Sequence, residues 1–350
     1  MIRDYLRRFS QFVLNPEDVM GKSDAIENFE IFWKTFNDRY PFFELRGVDW
    51  KRQYELFRPK VHGGMSEAAL FEVLCDMIRP LKDGHVEIDA EIGDDDKYFN
   101  PEDKARFYQE FSEKQIKKLF ETTEKTLMER GFGKIRKTDA WMLTYSRSDD
   151  IAYMRILELE GIKKRKLTTA LDRISKDFPA LKGIIVDIRD CPGGDDDIVI
   201  AIVSRFTDQR RTVFHRKTKQ GPGADDLSEL KSWHVEPEGE HQFTGPIALL
   251  TCDAVFSGGE VFALAMKQLP HVTIIGDRTA GIFSYQLEKT LPNGWDYNLS
   301  YQIYYSPDMV CYEGAGVPVD IEFRNTRRDL ETGEDSLVVR ALDHLNPPMV

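Results

Sequence analysis

Two stretches constrain the fold of this chain more than any others. KGIIVDIRDCPGGDDDIVIAIVSRF (182–206) and GPIALLTCDAVFSGGEVFALAMKQL (245–269) each run from an apolar strand-like segment, through a polar glycine turn, into an apolar helical segment. Strands of continuous Ile, Val and Leu are those covered on both faces, and their alternation with helices implies a buried, largely parallel sheet. HVTIIGDRTAG (271–281) adds a further strand and turn, and KLTTALDRISKDF (166–178) an amphipathic helix. In open α/β sheets, sites gather where strands end and helices begin. Three turns are therefore singled out: CPGGDDD, VFSGGE and DRTAGIF.

The first 80 residues have a different texture and read mostly as helix. ENFEIFWKTFNDRYPFF places Phe29, Trp33 and Phe36 on one helical face. EAALFEVLCDMIRPL repeats the pattern behind Ser66, a helix cap, and stops near Pro80. LKDGHVEIDAEI is a turn leading into an alternating strand. GDDDKYFNPEDK (93–104) is acidic, broken by Asn-Pro, and reads as an exposed loop. FSEKQIKKLFETTEKTLMERGFG is helical, and WMLTYSRSDDIAYMRILELEG is a hairpin about its polar turn. The expected organisation is a helical N-terminal subdomain over 1–82, a turn, acidic loop and helical insert over 83–150, and an α/β core over 151–350.

Charge and composition exclude several function classes. Sixty Asp and Glu against 48 Lys and Arg give a net charge of −12. Sequence-independent nucleic-acid binding draws its affinity from cations facing phosphates, so it is not expected, and an anionic membrane surface is disfavoured. No run of about 18 apolar residues exists for a transmembrane helix. The N-terminus lacks an apolar h-region, so no signal peptide is read in the chain as given. The four cysteines are widely spaced, and the 7 histidines show no HxxxH or HxH spacing. No metal or organic cofactor is expected.

Four segments could carry chemistry. Ser257 stands where a strand gives way to a helix. It is either a nucleophile beside the Gly258 N–H or simply a cap, with Glu260 completing an S-x-x-E box. Gly193 and Gly194 form either an oxyanion-binding turn or an ordinary tight turn. His85, in LKDGHVEI, is either a general base or a hydrogen-bonded turn histidine. Glu313, in CYEGAGVPVDIEF, is either a supporting carboxylate or an exposed turn residue.

These segments, in this order, resemble the C-terminal processing, or tail-specific, serine peptidases, which include the tricorn protease core and the interphotoreceptor retinoid-binding modules. LKDGHVEI is similar to that family's Asp-x-His turn, GIIVDIRDCPGG to its Asp-x-Arg-x-x-Pro-Gly-Gly strand end, TCDAVFSGGEVFALAM to its nucleophile segment, and VTIIGDRTAG to the strand and turn that follow. The resemblance implies a ClpP/crotonase-like α/β spiral, a parallel-rich sheet with helices under a helical N-terminal cap. It implies Ser257 as nucleophile, His85 as base, Glu313 as supporting carboxylate, and the N–H groups of Gly194 and Gly258 as oxyanion hole. The implied partner is a polypeptide or peptide substrate. The resemblance leaves self-association open, and such relatives are often exported.

Two departures qualify it. The lysine that many members place after the Thr-x-Gly turn is Ile282 here, and neither Lys267 nor Lys289 matches the motif, which favours His85 as base. Residues 90–150 are too few and too helical for the PDZ domain many members carry. Alternatives of the same fold are a binder of hydrophobic ligands and a hydrolase of small esters or amides.

Overall fold

The computed structural model of the chain describes residues 24–346. The N-terminal stretch inspected above for an export signal lies outside them. The described chain opens with helices α1 (Ala25–Arg39), α2 (Trp50–Phe57) and α3 (Glu67–Ile78). Asp24, Asp49 and Ser66 cap them, each side chain accepting a first-turn backbone N–H. Strands β1 (Glu87–Ile92) and β2 (Asp95–Phe99) follow, then α4 (Arg106–Glu110), α5 (Glu113–Glu129), β3 (Arg136–Lys137), β4 (Leu143–Arg147) and β5 (Ile151–Ile156). The α/β portion runs α6 (Lys164–Ser175), β6 (Gly183–Asp187), α7 (Asp196–Val203), β7 (Arg211–Thr218), β8 (Lys231–Val235), β9 (Ile247–Thr251), α8 (Gly258–Lys267) and β10 (Val272–Gly276). Last come β11 (Gln286–Thr290), β12 (Asp296–Ser300), β13 (Gln302–Tyr305), β14 (Ile321–Glu322), α9 (Arg327–Thr332) and α10 (Ser336–Leu345).

The main sheet has the order β14-β10-β9-β6-β5-β4-β3. From β14 to β5 neighbouring strands are parallel, and β4 and β3 close one edge antiparallel. Every residue of β6 and β9 is buried, in keeping with their apolar runs, and the charge that ends β6, Asp187, is paired with Arg189. This is the mixed α/β architecture expected from the sequence. Because β6 and β9 are neighbours, with Ile184 opposite Ile247 and Asp187 opposite Leu250, the two glycine turns leave the sheet side by side.

A second core lies between α1–α3 and a four-stranded sheet of order β11-β12-β1-β2. Phe29, Phe32 and Phe36 meet Trp295, Tyr297 and Leu299 there, so the chain returns some 260 residues later to complete the N-terminal unit. Residues 136–156 pair directly into the main sheet.

One local expectation is corrected. Part of the acidic segment 93–104 is strand, not loop. Gly93, with φ 64°, turns the chain tightly, and β2 pairs β1 with Phe99 opposite Ile88. As a solvent-facing edge strand, β2 needs no apolar alternation, and its charges discourage pairing with another chain.

Candidate active site

Ser257 lies at the junction between β9 and α8 with φ 54° and ψ −131°. A side chain rarely enters this region, which costs on the order of 1–3 kcal/mol and persists only where surroundings over-determine it. One restraint is the Ser257 N–H, which donates to the Ile282 carbonyl at 2.8 Å. The serine holds the N-cap position of α8, yet its side chain makes no capping bond. Nor does Glu260 reach back to form a capping box. Its buried carboxylate instead accepts from the Thr279 hydroxyl and from the N–H groups of Gly281 (2.7 Å) and Ile282. The cap reading of S-x-x-E is thereby set aside.

The Gly194 turn packs directly on this junction. A Cβ added to Gly258 would fall 2.6 Å from the Gly194 nitrogen, and one added to Gly194, whose φ is 136°, would fall 2.3 Å from the Leu159 carbonyl. Only glycine allows that approach. The turn is pinned by Leu159, which donates to the Gly193 carbonyl and accepts from the Asp195 N–H, both at 2.7 Å. Among the described residues, neither the Gly194 nor the Gly258 N–H has an acceptor. Two free amides therefore stand together at the start of a helix, where negative charge is favoured.

His85 enters from the other core. Asp83 accepts the His85 N–H at 2.9 Å and the Tyr40 hydroxyl at 2.9 Å, which fixes the turn before β1. The imidazole is 3% exposed, its ring 6.2 Å from that of Phe256, and its Nδ1 has no hydrogen-bond partner. Burial pushes it down to about 4, against a smaller upward pull from Asp83. Ser257, His85 and Gly194 line one cleft of about 620 Å³.

Glu313 is placed differently. Its carboxylate is buried and accepts from Arg46 Nη2 at 3.2 Å and from the Phe283 N–H at 2.9 Å. No hydrogen bond joins it to His85, and it does not line the cleft. Burial and the nearby Asp83 push it well above the usual carboxylate range, with Arg46 opposing. Lys267 is occupied with Pro318 and Asp320, while Ile282 packs over Gly84, beside His85. Sequence reasoning missed Arg46, Asp83 and Glu102. Asp83 was legible as the partner two residues before His85. Arg46 and Glu102 carry no local signal. Glu102 is open to solvent on one side, yet the cleft walls push its carboxyl up to about 7, with Asp83 adding to the effect. Among the described residues no cluster suited to a metal occurs, and no helix is long and apolar enough to cross a membrane.

The fold, with a serine at a strand-to-helix junction, is that of a serine-type peptidase. Residues 150–323 match the model of peptidase family S41 and residues 24–79 that of the tricorn protease C1 domain, and the chain belongs to the S41 peptidases. It is 27% identical over 179 residues to a carboxy-terminal-processing protease of Bartonella bacilliformis, covering 51% of this chain and 39% of that protein. It is 26% identical over 148 residues to the carboxy-terminal processing protease CtpA of Bacillus subtilis, covering 42% and 29%. The matched stretches thus span well under half of these relatives. A solved structure of a candidate peptidase from Parabacteroides merdae superposes with a TM-score of 0.77 at 25% identity, covering 94% of this chain and 98% of that one.

Proposed function

We propose that the chain hydrolyses peptide bonds through an acyl-enzyme on Ser257. His85 takes the Oγ proton as Oγ attacks the scissile carbonyl, and the N–H groups of Gly194 and Gly258 hold the oxyanion. The proton passes to the departing amine. Water, deprotonated in turn by His85, then releases the acyl group. Glu313 supports the site from behind, through the Phe283 N–H. The relatives' carboxy-terminal processing makes polypeptides the proposed substrates. With residues 136–156 built into the main sheet, the cleft itself is the proposed surface for recognising such a substrate within the described residues.

One observation carries the reading: a serine with strained backbone and uncommitted side chain opens into a cleft shared with a buried histidine, beside two unpaired amides. The test is fluorophosphonate labelling read by peptide mapping, with peptide hydrolysis alongside. A single adduct on Ser257, absent from His85→Ala, is expected, with hydrolysis by Ser257→Ala reduced about 10³-fold or more. Full activity in Ser257→Ala would refute the assignment.

A further inference from the structure

Ser257 and His85 stand on different cores. Val255 and Val261, on either side of the serine, belong to the core of the main sheet, whereas Val86 and Ile88, after the histidine, belong to the core formed with α1–α3. Neither core alone sets the distance from nucleophile to base, so the links between the two units do. One runs behind the site, from Arg46 through Glu313 to the Phe283 N–H. Another runs along the cleft wall over residues 100–107. It leaves β2 at Phe99, which pairs with Ile88, and ends at Phe107, buried in the main core.

This second link is fixed at both ends beside a reacting residue. At one end the Asn100 side-chain amide donates to the carbonyl of Gly84, the residue before His85, at 2.9 Å, while its oxygen accepts the Glu102 N–H at 2.8 Å. Contact there is close: a Cβ on Gly84 would fall 2.8 Å from Ile282 Cδ1 and 2.9 Å from Glu102 Oε2. At the other end Asp253, just ahead of Ser257 in the chain, accepts two successive backbone N–H groups, those of Arg106 at 2.8 Å and Phe107 at 3.1 Å. Asp253 thereby caps α4 from a distant part of the chain. The Arg106 guanidinium reaches Asp253 at 3.2 Å and Asp277 as well, and Asp277 precedes the turn that receives the Ser257 N–H. The exposed Lys82–Asp103 pair adds little to this, because solvent screens it.

We propose that Asn100 and Asp253 are positioning residues, and that the tie between them holds the His85 turn and the Ser257 turn at reacting distance. This rests on the reading of Ser257 and His85 given above. Each residue acts through the turn it holds. Misplacing a reacting group by about 1 Å costs on the order of 10²-fold in rate, so a slackened tie is felt in the chemical step before it is felt in binding.

The test compares Asn100→Asp and Asp253→Ala, singly and together, with the wild type at neutral pH, by the rate of fluorophosphonate labelling at Ser257 and by peptide hydrolysis. Asn100→Asp keeps an oxygen for the Glu102 N–H and loses the donor to Gly84, so a residue serving only its own loop would tolerate it. Each single variant is expected to lose roughly ten- to a hundredfold in labelling rate and in kcat, with KM changed far less. The double variant should be no more than about twofold slower than the slower single one, since one tie is cut only once. Wild-type kcat in either single variant, a loss confined to KM, or losses that multiply in the double variant overturns the proposal. Should Asp253→Ala fail to fold, Asn100→Asp decides alone. Failure of the Ser257 reading looks different: the wild type itself takes no label and cuts no peptide, and the proposal falls with it.

Discussion

His85 combines near-complete burial with an unpartnered Nδ1, and burial disfavours its charged form, pushing the imidazole down to about 4. A general base must be unprotonated, so the useful form dominates at neutral pH, at the expense of basicity. Fluorophosphonate labelling of Ser257 should therefore rise with a midpoint near pH 4 and stay flat from there to neutrality. A midpoint near 6.5 would mean that His85 is solvated or paired in the working enzyme. The same shift has a signature in stability. The folded pKa lies below the unfolded one, so between pH 6.5 and about 4 the unfolded chain takes up a proton that the fold resists. Stability is lost as pH falls through that window. Urea denaturation at several pH values should show a shallower loss in His85→Gln, and parallel curves would count against the buried neutral imidazole. Ser257 and the two glycines were legible in sequence as candidates because their backbone demands are local, and His85 as a candidate through the turn that precedes it. Glycine and serine at a strand end announce an unusual turn before any tertiary contact is known. The use made of Glu260 was not legible, because the same S-x-x-E spacing serves a capping box when the carboxylate folds back and a clamp when it folds away.

At the scale of elements, the Thr279–Phe283 turn connects the parts of the site. Its Gly281 and Ile282 N–H groups are held by Glu260, its Phe283 N–H by Glu313, and its Ile282 carbonyl receives the Ser257 N–H. Burial pushes Glu260 up to about 8, while its three donors favour the charged form. An amide at that position would turn its NH₂ toward at least one of these donors. Glu260→Gln should thus cost about 1–3 kcal/mol by urea denaturation, the usual range for a buried donor left unmatched. It should also slow labelling of Ser257, because the turn no longer fixes the serine's backbone. Wild-type stability in this variant would show the clamp to be dispensable. The opposing turn makes its own prediction. Gly194→Ala places a methyl group against the Leu159 carbonyl at a φ that alanine resists. The amide beside Gly258 is displaced, and kcat should fall by roughly 10²–10³, the typical loss of one oxyanion donor. An unchanged kcat would remove Gly194 from the proposed oxyanion hole.

The whole molecule brings two cores together at the cleft, and the order of the chain hides how. The alternation of strand and helix over 182–276 made the main sheet legible, since a buried parallel strand is largely apolar. The return of β11 and β12 to the N-terminal helices was not, because their half-exposed residues carry no sign of the distant partner that covers them. The same holds for Arg46, just beyond α1, which meets Glu313 across 267 positions at 3.2 Å. Asp83 also lies within the field of Arg46. One guanidinium thus serves two buried carboxylates and joins the N-terminal unit to the peptidase core. Replacing one partner of a buried pair strands the other, at a cost of about 3–5 kcal/mol. Arg46→Met should cost about that much at pH 8, measured by urea denaturation. The deficit has a direction in pH. Without the guanidinium, Glu313 is raised further above its wild-type folded value, itself already well above the usual carboxylate range, so the deficit is constant in acid and grows only as pH rises through that wild-type value. Glu313→Gln in the Arg46→Met background should recover part of the loss, because the glutamine oxygen can still accept the Phe283 N–H and one of the two stranded carboxylates is gone. No recovery in the double variant would assign the effect of Arg46 to packing and not to its charge.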